Sequence, residues 1–250
     1  MIYRTFTRAF SLGEEIWIIF EPIKKNVYVL AVWDAEWKSY NNCYIILEGD
    51  YITLLDCGKK EHSIYLIKAL ESLGKSVDDV TLLLATHGHE DHVQGAEIFI
   101  NAKKYIHANE RGKMEYPYPE QFEILPSNRN NIDDFDILLV GDHTPGSVAF
   151  YHRPSKVVFT GDFLCFFGDS LSKDGLVSQG NDLREAWLSF LHNGGVTGQH
   201  LKIFIEGLKG INRFDADAMC SGHGGVLVGD ITSFVSELIH LGQEWLHTVK

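Results

Sequence analysis

Apolar positions fall first into short runs of β-branched and aromatic residues: Ile16 to Phe20, Val27 to Trp33, Cys43 to Leu47 and Tyr51 to Leu55. Such residues suit a pleated, half-buried backbone, so each run predicts a strand. Glu48-Gly49-Asp50 between the last two predicts a hairpin turn. The period then changes: Ile64, Ile67, Leu70 and Leu73 recur at helical spacing within His62 to Leu73, and Gly74 stops the pattern. Val80 to Ala85 is an unbroken apolar run of strand length, which predicts a buried central strand. It leads directly into Thr86-His87-Gly88-His89-Glu90-Asp91-His92. A short helix is expected up to Ile100, then a strand over Lys104 to His107.

The stretch Glu110 to Asn131 is polar and carries Pro117, Pro119 and Pro126, so it reads as a long surface loop. Strands resume at Ile137 to Val140, Val148 to Tyr151 and Val157 to Thr160. Helical patterns cover Leu183 to Leu191 and Leu201 to Leu208. Ala218 to Cys220 reads as a short last strand and Ile231 to His247 as an amphipathic helix. Strands with interleaved helices in both halves predict a layered α/β fold with helices on the outer faces. No repeat, low-complexity tract or linker interrupts the chain, so residues 1–250 are expected to form a single domain.

Composition narrows the functional classes. The net charge is −12 with histidines neutral, and the lysine pairs are isolated among acids. That pattern argues against a nucleic-acid partner, which needs clustered Lys and Arg. Cys43, Cys57, Cys165 and Cys220 lie far apart without a CxxC pair and read as free, buried thiols of a reducing compartment. Neither a secretory signal nor an apolar stretch of membrane-spanning length is visible. A cytoplasmic protein with no membrane partner is expected.

The chemistry concentrates in His87-x-His89-x-Asp91-His92. A lone histidine is usually structural, but three histidines and an aspartate within six residues at a strand end are hard to explain that way. Imidazole and carboxylate are the ligands that zinc and similar metals take. A sharp turn after a rigid strand can aim His87 and His89 at one ion, and Asp91 and His92 at a second. His143, Asp162 and His223 each sit in a glycine-containing turn at a strand end, where the backbone can bend closely around a site. Together these seven residues supply the ligands that a two-metal site needs.

In this order the motifs resemble those of the metallo-β-lactamase superfamily over nearly the whole chain. The resemblance implies a four-layer αββα sandwich with the metals at one edge of the two sheets. It implies that His87, His89 and His143 bind the first metal, that Asp91, His92 and His223 bind the second, and that Asp162 bridges both. Leu54-Leu55-Asp56-Cys57-Gly58 matches the family's early strand-Asp-x-Gly motif, in which Asp56 supports the ligands from behind. Two divalent ions, zinc by ligand type with iron or manganese as alternatives, would hold a bridging hydroxide that attacks a carbonyl carbon. Asp91 would be the catalytic carboxylate, orienting that nucleophile and passing its proton to the leaving group. The expected function is hydrolysis of a small-molecule ester, lactone or thioester.

Departures from individual branches refine this. His92 and Asp162 differ from the branch of true β-lactamases that has arginine and cysteine at those places, the other dizinc β-lactamase branch lacks the bridging aspartate, and flavodiiron proteins carry glutamate where this chain has His89. Glyoxalase II enzymes add a helical domain after the last histidine, for which residues 224–250 are expected to be too short. Acyl-homoserine lactonases commonly have tyrosine where this chain has Cys165. Persulfide dioxygenases, which bind one iron through residues matching His87, His143 and Asp162, are the alternative enzyme class. They usually carry an arginine soon after the aspartate, and Phe163 to Asp169 has none. A binding or regulatory protein that keeps the site without turnover is the third reading. Three aromatic segments are expected to line the cleft: Trp33, Trp37 and Tyr40; Tyr116 and Tyr118; and Phe163, Phe166 and Phe167.

Overall fold

Alternation of apolar residues in the first half builds an eight-stranded sheet, in a computed structural model that describes residues 5–11, 14–114, 119–128, 130–167 and 174–248. Strands β1 (Thr5–Ser11), β2 (Glu14–Lys24), β3 (Val27–Asp34), β4 (Ser39–Glu48) and β5 (Tyr51–Leu55) form an antiparallel meander. The predicted hairpin turn between β4 and β5 is present, with Gly49 in the left-handed region at φ 64°. Helix α1 (Ser63–Ser72) then crosses over, and β6 (Val80–Leu84), β7 (Lys103–Ile106) and β8 (Glu123–Ile124) continue the sheet in parallel. The short helices α2 (Glu90–Val93) and α3 (Ala108–Arg111) lie in the β6–β7 and β7–β8 connections. One face of this sheet, including Leu30, Val32, Cys43, Ile45, Leu54 and Leu83, forms a core with Tyr65, Leu66, Ala69 and Leu70 of α1.

The second sheet has seven strands in the order β13-β15-β14-β12-β11-β10-β9. Its members are β9 (Asn131–Ile132), β10 (Phe135–Leu139), β11 (Val148–His152), β12 (Val157–Gly161), β13 (Val177–Ser178), β14 (Ala218–Ser221) and β15 (Val226–Val228). The helices α4 (Asp182–His192), α5 (Gly198–Ile211) and α6 (Ile231–Thr248) belong to the same half. Ala149, Tyr151, Val158, Met219 and Leu227 of this sheet pack with Leu201, Phe204 and Leu208 of α5 and with Phe234, Val235 and Leu238 of α6. The chain thus divides into two compact units, each a sheet with its own helices. The first takes residues up to Leu125 together with Phe167 and Gly222–Gly224, and the second takes the rest of the described chain.

Three expectations are corrected. Glu110 to Asn131 is no surface loop throughout: Glu110, Met114, Phe122 and Leu125 are buried and β8 lies within it. Its polar, proline-containing composition conceals apolar residues spaced too widely to show a period. Ala218 to Cys220 is not the last strand, because β14 pairs antiparallel with β15 just beyond the Gly224-Gly225 turn. The first strand run is also far longer than Ile16 to Phe20 and pairs with β1 along its outer edge.

The turn that joins β3 to β4 is held from within. Asp34 Oδ1 accepts hydrogen bonds from the amides of Glu36 (2.9 Å) and Trp37 (3.2 Å), and Asp34 Oδ2 pairs with Lys59 Nζ at 2.6 Å. Burial pushes the Asp34 carboxyl up, but the Lys59 ammonium and the two amides outweigh it and hold the group below the usual aspartate range. A carboxylate whose pKa is lower folded than unfolded stabilises the fold above its unfolded pKa. That contribution disappears as pH falls through the folded value. The unfolding free energy of the natural chain should therefore exceed that of Asp34→Asn at neutral pH. The difference should shrink as pH drops below about 4, measured by denaturant titration at several pH values. A difference that stays constant over that range would contradict the pairing.

Candidate metal centre

Parallel pairing of β5 with β6 brings their C-terminal ends side by side, with Leu55 opposite Leu84. The Asp56 amide continues the ladder to the Leu84 carbonyl at 3.0 Å. The residues that leave these two strands are Asp56-Cys57-Gly58 and Thr86 to His92, so the pairing itself places them together. Asp56 adopts a left-handed conformation at φ 55°, which aspartate tolerates better than most side chains. Its buried carboxylate accepts three hydrogen bonds: Oδ1 from the Thr86 amide (2.8 Å), and Oδ2 from Thr86 Oγ1 (2.8 Å) and His92 Nδ1 (2.9 Å).

These bonds set the proton positions of two histidines. The Thr86 hydroxyl has one proton and gives it to Asp56, so Thr86 Oγ1 accepts from His87 Nδ1–H at 3.0 Å. The lone pair of His87 is thereby on Nε2. His92 likewise donates from Nδ1 and keeps its lone pair on Nε2. A carboxylate or hydroxyl behind the ring is the usual way a metal-binding imidazole is oriented.

Ligand atoms converge in front of this framework. In the first unit His87 Nε2 lies 3.0 Å from His89 Nδ1. Asp91 Oδ2 lies 3.2 Å from His223 Nε2 and 3.5 Å from His92 Nε2, and donor atoms of these three residues all fall within 4.8 Å of one another. In the second unit His143 Nε2 lies 3.5 Å from Asp162 Oδ2. Four ligands at about 2.0–2.1 Å from a tetrahedral ion are roughly 3.3 Å apart. Separations of 3.0–3.5 Å therefore fit a shared cation, as does the all-nitrogen-and-oxygen donor set. In the first unit His92 and His223 are buried whereas His89 is exposed, so that group of side chains keeps one member open to solvent.

Further residues support this geometry that the sequence reading did not single out. Asn41 Nδ2 reaches Asp91 Oδ2 at 3.4 Å. The loop that carries His223 is tied to the end of β4 by Asn42 N to Gly222 O (2.9 Å), Gly224 N to Tyr40 O (3.0 Å) and Asn42 Nδ2 to Gly224 O (2.8 Å). Buried Glu110 accepts from the Gly88 amide at 3.1 Å, within the His87–His92 turn. Gly95 packs against the Asp56 loop so closely that an added Cβ would lie 2.2 Å from the Cys57 carbonyl oxygen. In the second unit Cys165 is packed, as read from sequence, but its Sγ also lies 3.3 Å from Asp162 Oδ1. Asn41, Asn42 and Glu110 carry no local motif, and each acts on residues distant in sequence.

The aromatic candidates separate. Trp33 and Tyr40 line a cleft, and Trp37 stands at the tip of the β3–β4 turn, 55% exposed. Phe163 and Phe166 are core residues of the second unit, with Phe163 packed on Phe204. Phe167 instead stacks on the His223 ring at a centroid distance of 4.8 Å. Tyr116 and Tyr118 lie outside the described residues.

An α/β fold with a His/Asp cluster suited to metal binding at strand ends defines a metalloprotein class. Residues 38–194 match the family model of the metallo-beta-lactamase superfamily. The chain belongs to that superfamily. It is 28% identical over 141 residues to the probable metallo-hydrolase YybB of Bacillus subtilis, a match covering 48% of this chain and 60% of that one. It is 30% identical over 146 residues to the hydroxyacylglutathione hydrolase GloC of Haemophilus influenzae, covering 49% and 66%. The chain therefore spans less than two thirds of either relative. A flavo di-iron protein from Thermotoga maritima superposes with a TM-score of 0.73 at 15% identity, covering 90% of this chain and 61% of that one. At that identity the likeness is one of fold, and it identifies the architecture as the metallo-β-lactamase type.

Asp56→Asn tests the supporting network without disturbing the backbone, because asparagine also accepts φ near 55°. An amide cannot accept all three bonds, so metal affinity should fall about 10–100-fold while the thermal unfolding temperature changes little. Competition with a chromophoric chelator measures this, and unchanged affinity would remove Asp56 from the support of the ligands.

Proposed function

We propose that this chain is a dinuclear metal-dependent hydrolase that cleaves an ester, lactone or thioester bond of a small molecule. The observation that carries the reading is the convergence of His87, His89, Asp91, His92 and His223 within the first unit, two of them oriented by Asp56. On this reading His87, His89 and His143 hold one ion, Asp91, His92 and His223 hold the other, and Asp162 serves both. Zinc is the metal that the ligand types favour, with manganese or iron as alternatives. When bound, the ions supply polarisation of a water molecule and of the substrate carbonyl.

The remaining work falls to the chain's own side chains. Asp91 takes a proton from the attacking water and delivers it to the leaving group. Asn41, His92 and His223, all facing Asp91 Oδ2, fix the carboxylate's direction so that the transfer needs no rearrangement. Phe167, stacked on His223, holds that imidazole in place and screens it from water. No serine or cysteine nucleophile is required: Ser147 Oγ is engaged with Thr144 and Ser221 Oγ with the Gly225 carbonyl.

Hydrolysis is supported further by the relatives named metallo-hydrolase and hydroxyacylglutathione hydrolase. The four cysteines are free and buried and no helix among the described residues is long and apolar enough to cross a membrane. These facts agree with a cytoplasmic setting. The net charge of −12 favours a small-molecule substrate over nucleic acid.

A panel of esters, lactones and thioesters should show turnover that a chelator abolishes and added zinc or manganese restores. Asp91→Asn should lower kcat about 10²–10⁴-fold with circular dichroism unchanged. Oxygen consumption with a persulfide, in the absence of any hydrolysis, would replace this reading with the oxygenase alternative.

A further inference from the structure

In the second unit, the turn that presents Asp162 folds back on itself. Strand β12 pairs in parallel with β14 as far as Gly161, through a register shift between Phe159 and Gly161. Gly161 takes φ 52°, a left-handed angle that glycine adopts without strain. The Phe163 amide then donates to the Thr160 carbonyl at 3.2 Å. Thr160 Oγ1 lies 3.3 Å from both the Leu164 and the Cys220 carbonyl oxygens, which closes the turn and ties it to β14. From α4, Trp187 Nε1 donates to the Cys165 carbonyl at 2.7 Å. The Trp187 ring stacks on Phe204 of α5, and Phe163 packs on the same ring, with centroids 5.6 and 5.1 Å away. Both ends of the turn are therefore clamped to the helices behind it.

This clamp sets the Cys165 thiol against Asp162. Sγ lies 3.3 Å from Asp162 Oδ1 and 3.3 Å from the Gly161 carbonyl oxygen. The thiol has one proton, and an ionised carboxylate attracts it more strongly than a neutral carbonyl does. The other carboxylate oxygen, Oδ2, is the one that lies 3.5 Å from His143 Nε2. The two oxygens of Asp162 thus face different partners. Its side chain is only 5% exposed, so water has little part in choosing its rotation. A cysteine that merely fills space sets its sulfur among apolar atoms, whereas this one meets a buried carboxylate.

We propose that Cys165 is a positioning residue of the metal centre: its thiol holds Asp162 Oδ1 and so fixes Oδ2 as the oxygen offered to an ion beside His143. The inference rests on the reading of Asp162 and His143 as ligands and is independent of what the centre hydrolyses.

Zinc affinity, measured by competition with a chromophoric chelator, tests it in the natural chain, Cys165→Ala and Cys165→Ser. The two replacements are close in size, so a packing cost is common to both and they differ in the hydroxyl. Cys165→Ala should lower affinity about tenfold, the smaller end of the loss when a supporting hydrogen bond is removed from a metal site. Cys165→Ser regains a donor and should bring affinity back close to that of the natural chain. Equal affinity in all three would overturn the proposal, as would an equal loss in both variants, which would assign the effect to packing or to the sulfur as a ligand. Cobalt substitution reads the latter directly: a sulfur-to-cobalt charge-transfer band that Cys165→Ser removes contradicts a positioning role. A second arm needs no metal. The infrared S–H stretching band that Cys165→Ser deletes should move to higher frequency in Asp162→Asn, where the acceptor is neutral, and a band that stays in place overturns the hydrogen bond. A serine-rescued zinc affinity in a protein that turns over no ester supports the positioning role and counts against the hydrolase. Absence of zinc binding in the natural chain overturns the role together with the metal reading.

Discussion

The buried Asp56 carboxylate is the constraint on which the rest of the site depends. It faces three donors at 2.8–2.9 Å, one through a backbone amide and two through side chains that govern His87 and His92. An ionised carboxylate can only accept, so every proton in this network has one direction to point. The lone pairs of His87 and His92 are consequently turned outward before any ion arrives. Such pre-orientation reduces the cost of assembling a site whose buried nitrogen and oxygen atoms would otherwise compete for protons among themselves.

The fold delivers that arrangement by strand pairing rather than by loop length. Parallel strands β5 and β6 end level with each other, and the segments beyond them carry the supporting carboxylate and the first ligands. The backbone bonds from Cys57 N to His92 O (2.8 Å) and from Gly95 N to Gly58 O (2.9 Å) then lock one segment to the other. At β4 the same economy recurs: residues 40–42 hold the His223 loop by backbone bonds, while Asn41 reaches Asp91 with its side chain. In the second unit His143 stands between β10 and β11, and Asp162 follows β12. Asp162 and His223 thus lie within two residues of a paired strand, whereas Asp91 and His92 stand on the short helix α2 that follows β6.

Much of this was legible because the responsible residues are local in sequence. Val80 to Leu84 announces a buried strand, and the histidines follow it at once, so strand and motif can be read together. The residues that support them are different. Asn41 acts on Asp91, fifty positions away, and Glu110 acts on Gly88 across a helix and a strand. Neither stands in a pattern that periodicity or spacing detects. The stretch around Phe122 misled for a related reason: its burial depends on packing against the first core, whereas its neighbours are polar and broken by prolines. Strand β15 has three residues, too few for an alternation to emerge. Phe163 and Phe166 show the limit of reasoning by proximity in sequence, since both follow Asp162 closely yet point into the core with α5.

Metal content is the most direct test of the central claim, that two ions share one set of chain-borne ligands. Elemental analysis of protein purified without added metal should find about two zinc or manganese ions per chain in the natural protein. It should find about one in His223→Ala, in which the second cluster alone is broken. One iron per chain, unchanged by His223→Ala, would contradict the dinuclear account.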